Sequence, residues 1–223
     1  MAKSQPEKSR LLIVEDHPLF SEGLCQMINR HQAMVVCGEV PDAAAAMRAV
    51  AELKPDLVLV DISLEGSNGI DLIKSLKAKY DELPILVISM HDESLYAERA
   101  LRAGALGYVM KNQPAKIVKA AISKVLGGEI FLSEKMSTSV LGKLWGGKSE
   151  APSSPIEQLS DRELEVFQML GEGKPSRQIA EELNLTIPTI HSFRNRIKEK
   201  LQLKNSTELM LHAMQWVRER MVR

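Results

Sequence analysis

Over roughly its first 128 residues the chain alternates short apolar runs with longer stretches in which apolar residues recur every three or four positions. The runs are Leu11–Val14, Met34–Cys37, Leu57–Val60, Ile85–Ile88 and Leu106–Met110. Near-continuous apolar runs of this length suit strands covered on both faces, the setting of a parallel sheet. The intervening stretches, 18–30, 42–53, 69–79, 92–103 and 114–127, carry the spacing of helices with one buried face. Strands alternating with helices in this way predict an α/β domain, a doubly wound five-stranded parallel sheet, over residues 1–128.

The rhythm breaks over 129–158. The stretch GGKSEAPSSP (146–155) has the composition of a flexible linker, and Glu134–Trp145 before it predicts a short helix capped by Ser133. From Leu159 onward the pattern is helical only. Ser160-Asp161-Arg162-Glu163 matches a capping box, with Gly171 and Gly173 closing that helix. Further helices fit 175–184, 187–201 and 206–220, so 159–223 is predicted to be a small all-α domain.

Composition narrows the class. With 44% hydrophobic and 26% charged residues, the chain can build cores and is not a disordered segment. No run approaches the roughly 18 apolar residues that span a bilayer, and the polar start MAKSQPEKSR lacks a secretory pattern. A cytoplasmic protein with no membrane partner is expected. Cys25 and Cys37 form neither a metal-ligand spacing nor a disulfide pattern, and are expected to be buried free thiols. The 29 basic and 29 acidic residues cancel, but Arg194, Arg196, Lys198, Lys200 and Lys204 cluster against Glu199 alone. Such a cluster is either a solvated helix face or an anion-binding one.

In doubly wound sheets, ligands sit beyond the carboxyl ends of the strands. Here those ends carry Glu15-Asp16, Asp61, Ser89 and Lys111. Three converging carboxylates repel one another and call for a cation, and oxygen donors of this kind suit Mg²⁺. A lysine and a hydroxyl opposite them could hold phosphoryl oxygens, and a carboxylate can itself accept a phosphoryl group. Asp61, single at its strand end, is the best candidate acceptor.

The segments LLIVEDHPLFSEGL (11–24), DLVLVDISLEGSNGIDLIK (56–74), ILVISMH (85–91) and GALGYVMK (104–111) resemble the receiver domain of bacterial two-component response regulators. The resemblance implies Asp61 as phosphoacceptor, Glu15, Asp16, Asp61 and the backbone carbonyl of Ser63 as Mg²⁺ ligands, and Ser89 and Lys111 as phosphoryl-binding groups. It further implies Ser89 and Tyr108 as the switch pair. Glu65 and Asn112 stand where many receivers have proline. His17 reads as structural, whereas His91 falls at a position that in this family tunes phosphoryl loss.

In the helix expected over 187–201, Ile190, Phe193, Ile197 and Leu201 lie within about 80° of one another at about 100° per residue, one stripe for a core. The opposite face holds His191, Ser192 and Asn195, flanked by Arg194, Arg196 and Lys198. Short polar side chains between cations suit a helix lying in a DNA groove. The run LSDRELEVFQMLGEGKPSRQIAEELNLTIPTIHSFRNRIKEKL is similar to the LuxR-type (NarL/FixJ) helix-turn-helix. That similarity implies base contacts from His191, Ser192 and Asn195, with backbone contacts from Thr189 and Arg196. Lys198 is a further candidate for phosphate contact. Pro188 and Phe193 depart from the usual residues.

Together the two resemblances imply a regulator, not an enzyme, that takes a phosphoryl group from a sensor histidine kinase, dimerises and binds double-stranded DNA. One alternative is a regulator that uses its receiver only to dimerise. Another is an aspartyl-nucleophile phosphatase, which usually has a second aspartate where this chain has Ser63.

Overall fold

A computed structural model describes residues 8–138 and 155–221. The chain divides into two units, Met1–Gly147 and Lys148–Arg223.

The first unit holds the strands β1 (Ser9–Val14), β2 (Met34–Val40), β3 (Leu57–Val60), β6 (Ile85–Ser89) and β7 (Gly107–Met110). They form one sheet in the order β2-β1-β3-β6-β7, every pair parallel. The helices α1 (Pro18–Asn29), α2 (Ala43–Leu53), α3 (Gly69–Lys79), α4 (Glu93–Arg102) and α5 (Ala115–Leu126) alternate with these strands. The expected doubly wound fold is therefore present. Every residue of the interior strands β3 and β6 is buried, which is why they read as uninterrupted apolar runs. β2 is an edge strand and mostly half-buried. It runs three residues past the expected Cys37, which is accordingly half-buried; Cys25, on α1, is half-buried too, so neither thiol is fully buried as expected.

A two-residue hairpin, β4 (Ser63–Leu64) with β5 (Ser67–Asn68), follows β3 and escaped the sequence reading because it is too short to show a period. It leads into α3, whose first turn is capped by Asn68 Oδ1 accepting from the Ile70 N–H at 2.9 Å. Gly69, the next residue, lies so close to the backbone of Asp61 and Ile62 that a Cβ there would collide with the Asp61 carbonyl. At the other edge of the sheet, Phe131 pairs with Gly107 of β7. Its carbonyl accepts from the Tyr108 N–H at 3.0 Å and its N–H donates to the Leu106 carbonyl at 2.9 Å. Ser133 Oγ then donates to the Glu93 carboxylate at 2.6 Å and accepts from the Met136 N–H at 3.1 Å, opening the helical residues 134–138. The remainder of the helix expected to Trp145, and 146–154 of the expected linker, lie outside the described residues.

The second unit is helical: a single 3₁₀ turn (Pro155–Gln158), then α6 (Asp161–Gly171), α7 (Ser176–Glu182), α8 (Ile187–Lys200) and α9 (Ser206–Met221). The capping box at Ser160 and Glu163 is complete. Glu163 also pairs with Lys200 at 2.6 Å, tying the start of α6 to the end of α8. Burial pushes its carboxyl up, but hydrogen bonds from Lys200 and the Ser160 backbone outweigh that and hold it below its ordinary value. Gly171 ends α6 where a Cβ would strike the Ala213 carbonyl, so α6 and α9 approach backbone to backbone there. Phe167 packs on Trp216, ring centroids 5.4 Å apart. Of the predicted stripe on α8, Ile190 and Ile197 are fully buried and Leu201 nearly so, while Phe193 is only half-buried.

Because Ile197 sits wholly inside this small core, Ile197→Ala should destabilise the helical unit by about 2–5 kcal/mol. Phe193→His should cost far less. Chemical denaturation followed by far-ultraviolet circular dichroism distinguishes the two, and a cost below about 0.5 kcal/mol at Ile197 would mean an exposed side chain.

Candidate functional site

With every strand parallel, all carboxyl ends share one rim, and the strand order reverses between β1 and β3. Glu15 and Asp16 follow β1, and Asp61 follows β3, so the three acids flank this crevice. Glu15 is 6% exposed and Asp61 4%. Lys111, just past β7, places its Nζ 2.6 Å from Glu15 Oε2 and 2.7 Å from Asp61 Oδ2. The other oxygen of Asp61 accepts from the Ile62 N–H at 2.7 Å. All five strand-end residues singled out from the sequence are thus on one rim.

One ligand atom each from Glu15, Asp16, His17 and Asp61 can be chosen so that all lie within 4.8 Å of one another. Burial raises the carboxyl of Glu15, and the charge of Asp61 raises it further despite Lys111. Asp16 is raised for the same reasons, burial first, against the pull of His17. Hard oxygen donors so arranged fit a divalent cation. His17 is exposed, with Nδ1 2.7 Å from Asp16 and 3.0 Å from Glu15, so it braces the two acids from the solvent side.

Ser89 at the end of β6 is fully buried. The Tyr108 phenol points inward at 1% exposure and donates to the His91 carbonyl at 2.7 Å, with the Ser89 side chain beside it. Its acidity is suppressed by burial and by the surrounding acids, so it stays a hydrogen-bond donor. His91 Nε2 lies 2.8 Å from Ser63 Oγ, and its ring packs against Tyr96, centroids 4.5 Å apart and planes tilted by 39°. The Ser63–His91 pairing, between residues 28 apart, is invisible to spacing arguments. So is the ring of Phe20, whose centroid lies 4.6 Å from Lys111 Nζ.

On α8, His191, Ser192, Asn195 and Arg196 are exposed, and Thr189 and Lys198 are partly so. Thr186 caps the helix and shares a 2.8 Å hydroxyl contact with Thr189. Arg194 differs from its neighbours: its guanidinium donates to Ser176 Oγ of α7 at 2.7 Å, linking the two helices.

Among the described residues no helix is long and apolar enough to cross a membrane. Residues 11–122 match the family of response regulator receiver domains, and residues 157–213 match bacterial regulatory proteins of the luxR family. The fold and site thus define a receiver joined to a LuxR-type helix-turn-helix, and the chain belongs to the response regulators of that type. The oxygen regulatory protein NreC of Staphylococcus aureus is 31% identical over 209 residues, covering 92% of this chain and 96% of that protein. The RcsB response regulator of Salmonella typhimurium is similar in structure, with 26% identity and a TM-score of 0.55 over 92% of this chain and 98% of that one. A structure of two RcsB dimers bound to two parallel DNAs matches at 26% identity and a TM-score of 0.56, over 92% and 97% of the respective chains.

The raised acidity constant of Glu15 has a consequence for stability. The unfolded chain releases this proton at lower pH than the folded one, so at neutral pH the ionised side chain opposes folding. Glu15→Gln should therefore raise the melting temperature of the metal-free protein at pH 7. That gain should shrink as pH falls through the raised folded value toward 4.5, the ordinary value. A variant less stable than the parent at pH 7 would contradict the assignment.

Proposed function

We propose that this chain is a phosphorylation-controlled transcription regulator of the cytoplasm. A sensor histidine kinase supplies the phosphoryl group and Asp61 receives it. One Asp61 carboxylate oxygen forms the P–O bond while the donor's P–N bond breaks, its electron pair leaving on the imidazole. Glu15, Asp16, Asp61 and the Ser63 carbonyl would hold Mg²⁺, which when bound neutralises charge on the transferring group. Lys111 and Ser89 bind the phosphoryl oxygens in this reading. The single observation that carries it is the buried Asp61 carboxylate, 2.7 Å from Lys111 on a rim shared with the Glu15-Asp16 pair. A receiver kept only to dimerise would have no use for that arrangement, and Ser63 lacks the carboxylate a phosphatase of the alternative class would need there.

On this reading residues 1–128 receive the signal, 129–158 connect, and 159–223 bind DNA as one half of a homodimer. Ser89 and Tyr108 form the switch, Ser89 being drawn to the new phosphoryl group and disturbing the buried phenol beside it. The dimers of RcsB on DNA support paired half-sites for this chain too. His191, Ser192 and Asn195 read base edges, and Thr189, Arg196 and Lys198 hold the backbone, since these polar and cationic groups stand out from α8.

Asp61→Asn should abolish Mg²⁺-dependent labelling by acetyl phosphate, as an amide is neither nucleophile nor charged ligand. Persisting labelling would place the acceptor elsewhere. On the DNA side, Arg196→Ala should weaken binding to all duplexes alike and lower the salt dependence by about one unit. Asn195→Ala should relax selectivity at one base position, by about 1–3 kcal/mol. Titrations on a matched site, a single-base variant and random duplex at several salt concentrations test both. An equal loss on all three duplexes for Asn195→Ala would make it a backbone contact.

A further inference from the structure

The Lys111 ammonium is placed by more than its two carboxylates. Phe20, in the first turn of α1, turns its ring to the ammonium, centroid 4.6 Å from Nζ. The ring is half-buried and packs against the core cluster that includes Leu11, Ile13, Leu59 and Val109. The lysine side chain is 5% exposed and its two acidic partners 3%. A cation over an aromatic face is drawn by the ring's negative centre, and more strongly where water is excluded.

We propose that Phe20 is a positioning residue for phosphoryl transfer, holding Lys111 inside the pocket when its carboxylate partners are engaged elsewhere. The inference rests on the reading of Asp61 as phosphoacceptor. In the pocket as it stands, Glu15 and Asp61 both anchor the lysine. Both acids also belong to the cluster able to hold a metal ion. Once they share their charge with a divalent cation, their hold on the ammonium weakens, and the two cations repel. Phe20 is the neighbour whose attraction for the ammonium a metal does not compete for, because an uncharged ring is no ligand for a hard cation. The ring therefore keeps Lys111 poised at the rim, where incoming phosphoryl oxygens meet it already desolvated and oriented.

The test uses the full-length chain, with Phe20→Leu removing the ring face while keeping an apolar cover, and Phe20→Tyr restoring the face. Three quantities are read: the rate of phosphorylation by acetyl phosphate at saturating Mg²⁺, the affinity for beryllofluoride, and the affinity for Mg²⁺ alone. Phe20→Leu should slow phosphorylation and weaken beryllofluoride binding each by about fivefold, with Mg²⁺ affinity within about twofold of the parent. Phe20→Tyr should behave like the parent. A leucine variant phosphorylated at the parent's rate overturns the inference. So does a tyrosine variant as slow as the leucine one, or a parallel loss of Mg²⁺ affinity, which would report a damaged pocket. A parent chain that takes no phosphoryl group overturns the Asp61 reading and this inference together, whereas the other three outcomes overturn this inference alone.

Discussion

Lys111 is shared between the carboxylates of Glu15 and Asp61, at 2.6 and 2.7 Å, in a crevice nearly closed to water. Buried charges are tolerated only when paired, and removing the lysine would leave both acids stranded at a cost of several kcal/mol. The rest of the first unit can be understood from this constraint. Three side chains must arrive from three different strands, β1, β3 and β7, and only a parallel sheet delivers all its strand ends to one rim. Asp61 is fixed further by its neighbour's N–H and by α3, which begins at a glycine because no Cβ fits against the Asp61 backbone. Even so, one ammonium does not neutralise three acids. Burial first, and then the charge of Asp61, raise the carboxyls of Glu15 and Asp16, and a divalent cation would offset both effects.

Much of this was legible in the sequence. Interior strands such as Leu57–Val60 announce themselves because burial on both faces leaves no polar positions, and the residue after each such run marks the rim. Edge strand β2 extends three residues beyond its apolar run because half-burial admits Gly38 and Glu39, which break the pattern. What pattern could not supply was contact between residues far apart in the chain. Phe20 over Lys111 and Ser63 against His91 join positions with no shared period, and only the tertiary fold brings them together.

The helical unit shows the same division. The stripe of Ile190 and Ile197 on α8, with Leu201 at its C-cap, follows from helical geometry, and so does the polar face opposite. Phe193, at the margin of the stripe, is only half-buried, as a residue there would be. Arg194, grouped with the flanking cations by its charge, is instead tied to Ser176 and links α8 to α7. Charge alone does not separate a cation that faces a ligand from one that fastens two helices. The presence of a hydroxyl across the gap does.

The pairing of Phe131 with Gly107 bears on where the first unit can be cut. An edge strand offers a row of unpaired backbone groups to any passing strand, and natural sheets cover or disrupt such rows. Here the chain's own continuation occupies the start of the β7 edge, Phe131 taking up the Tyr108 N–H and the Leu106 carbonyl. A fragment ending at Gly128, where the helical pattern stops, would strip that cover and leave a strand of Gly, Tyr, Val and Met able to template association between copies. The end of the last receiver helix and the end of the segment that still protects β7 are therefore different points in the chain, and the second lies beyond Phe131.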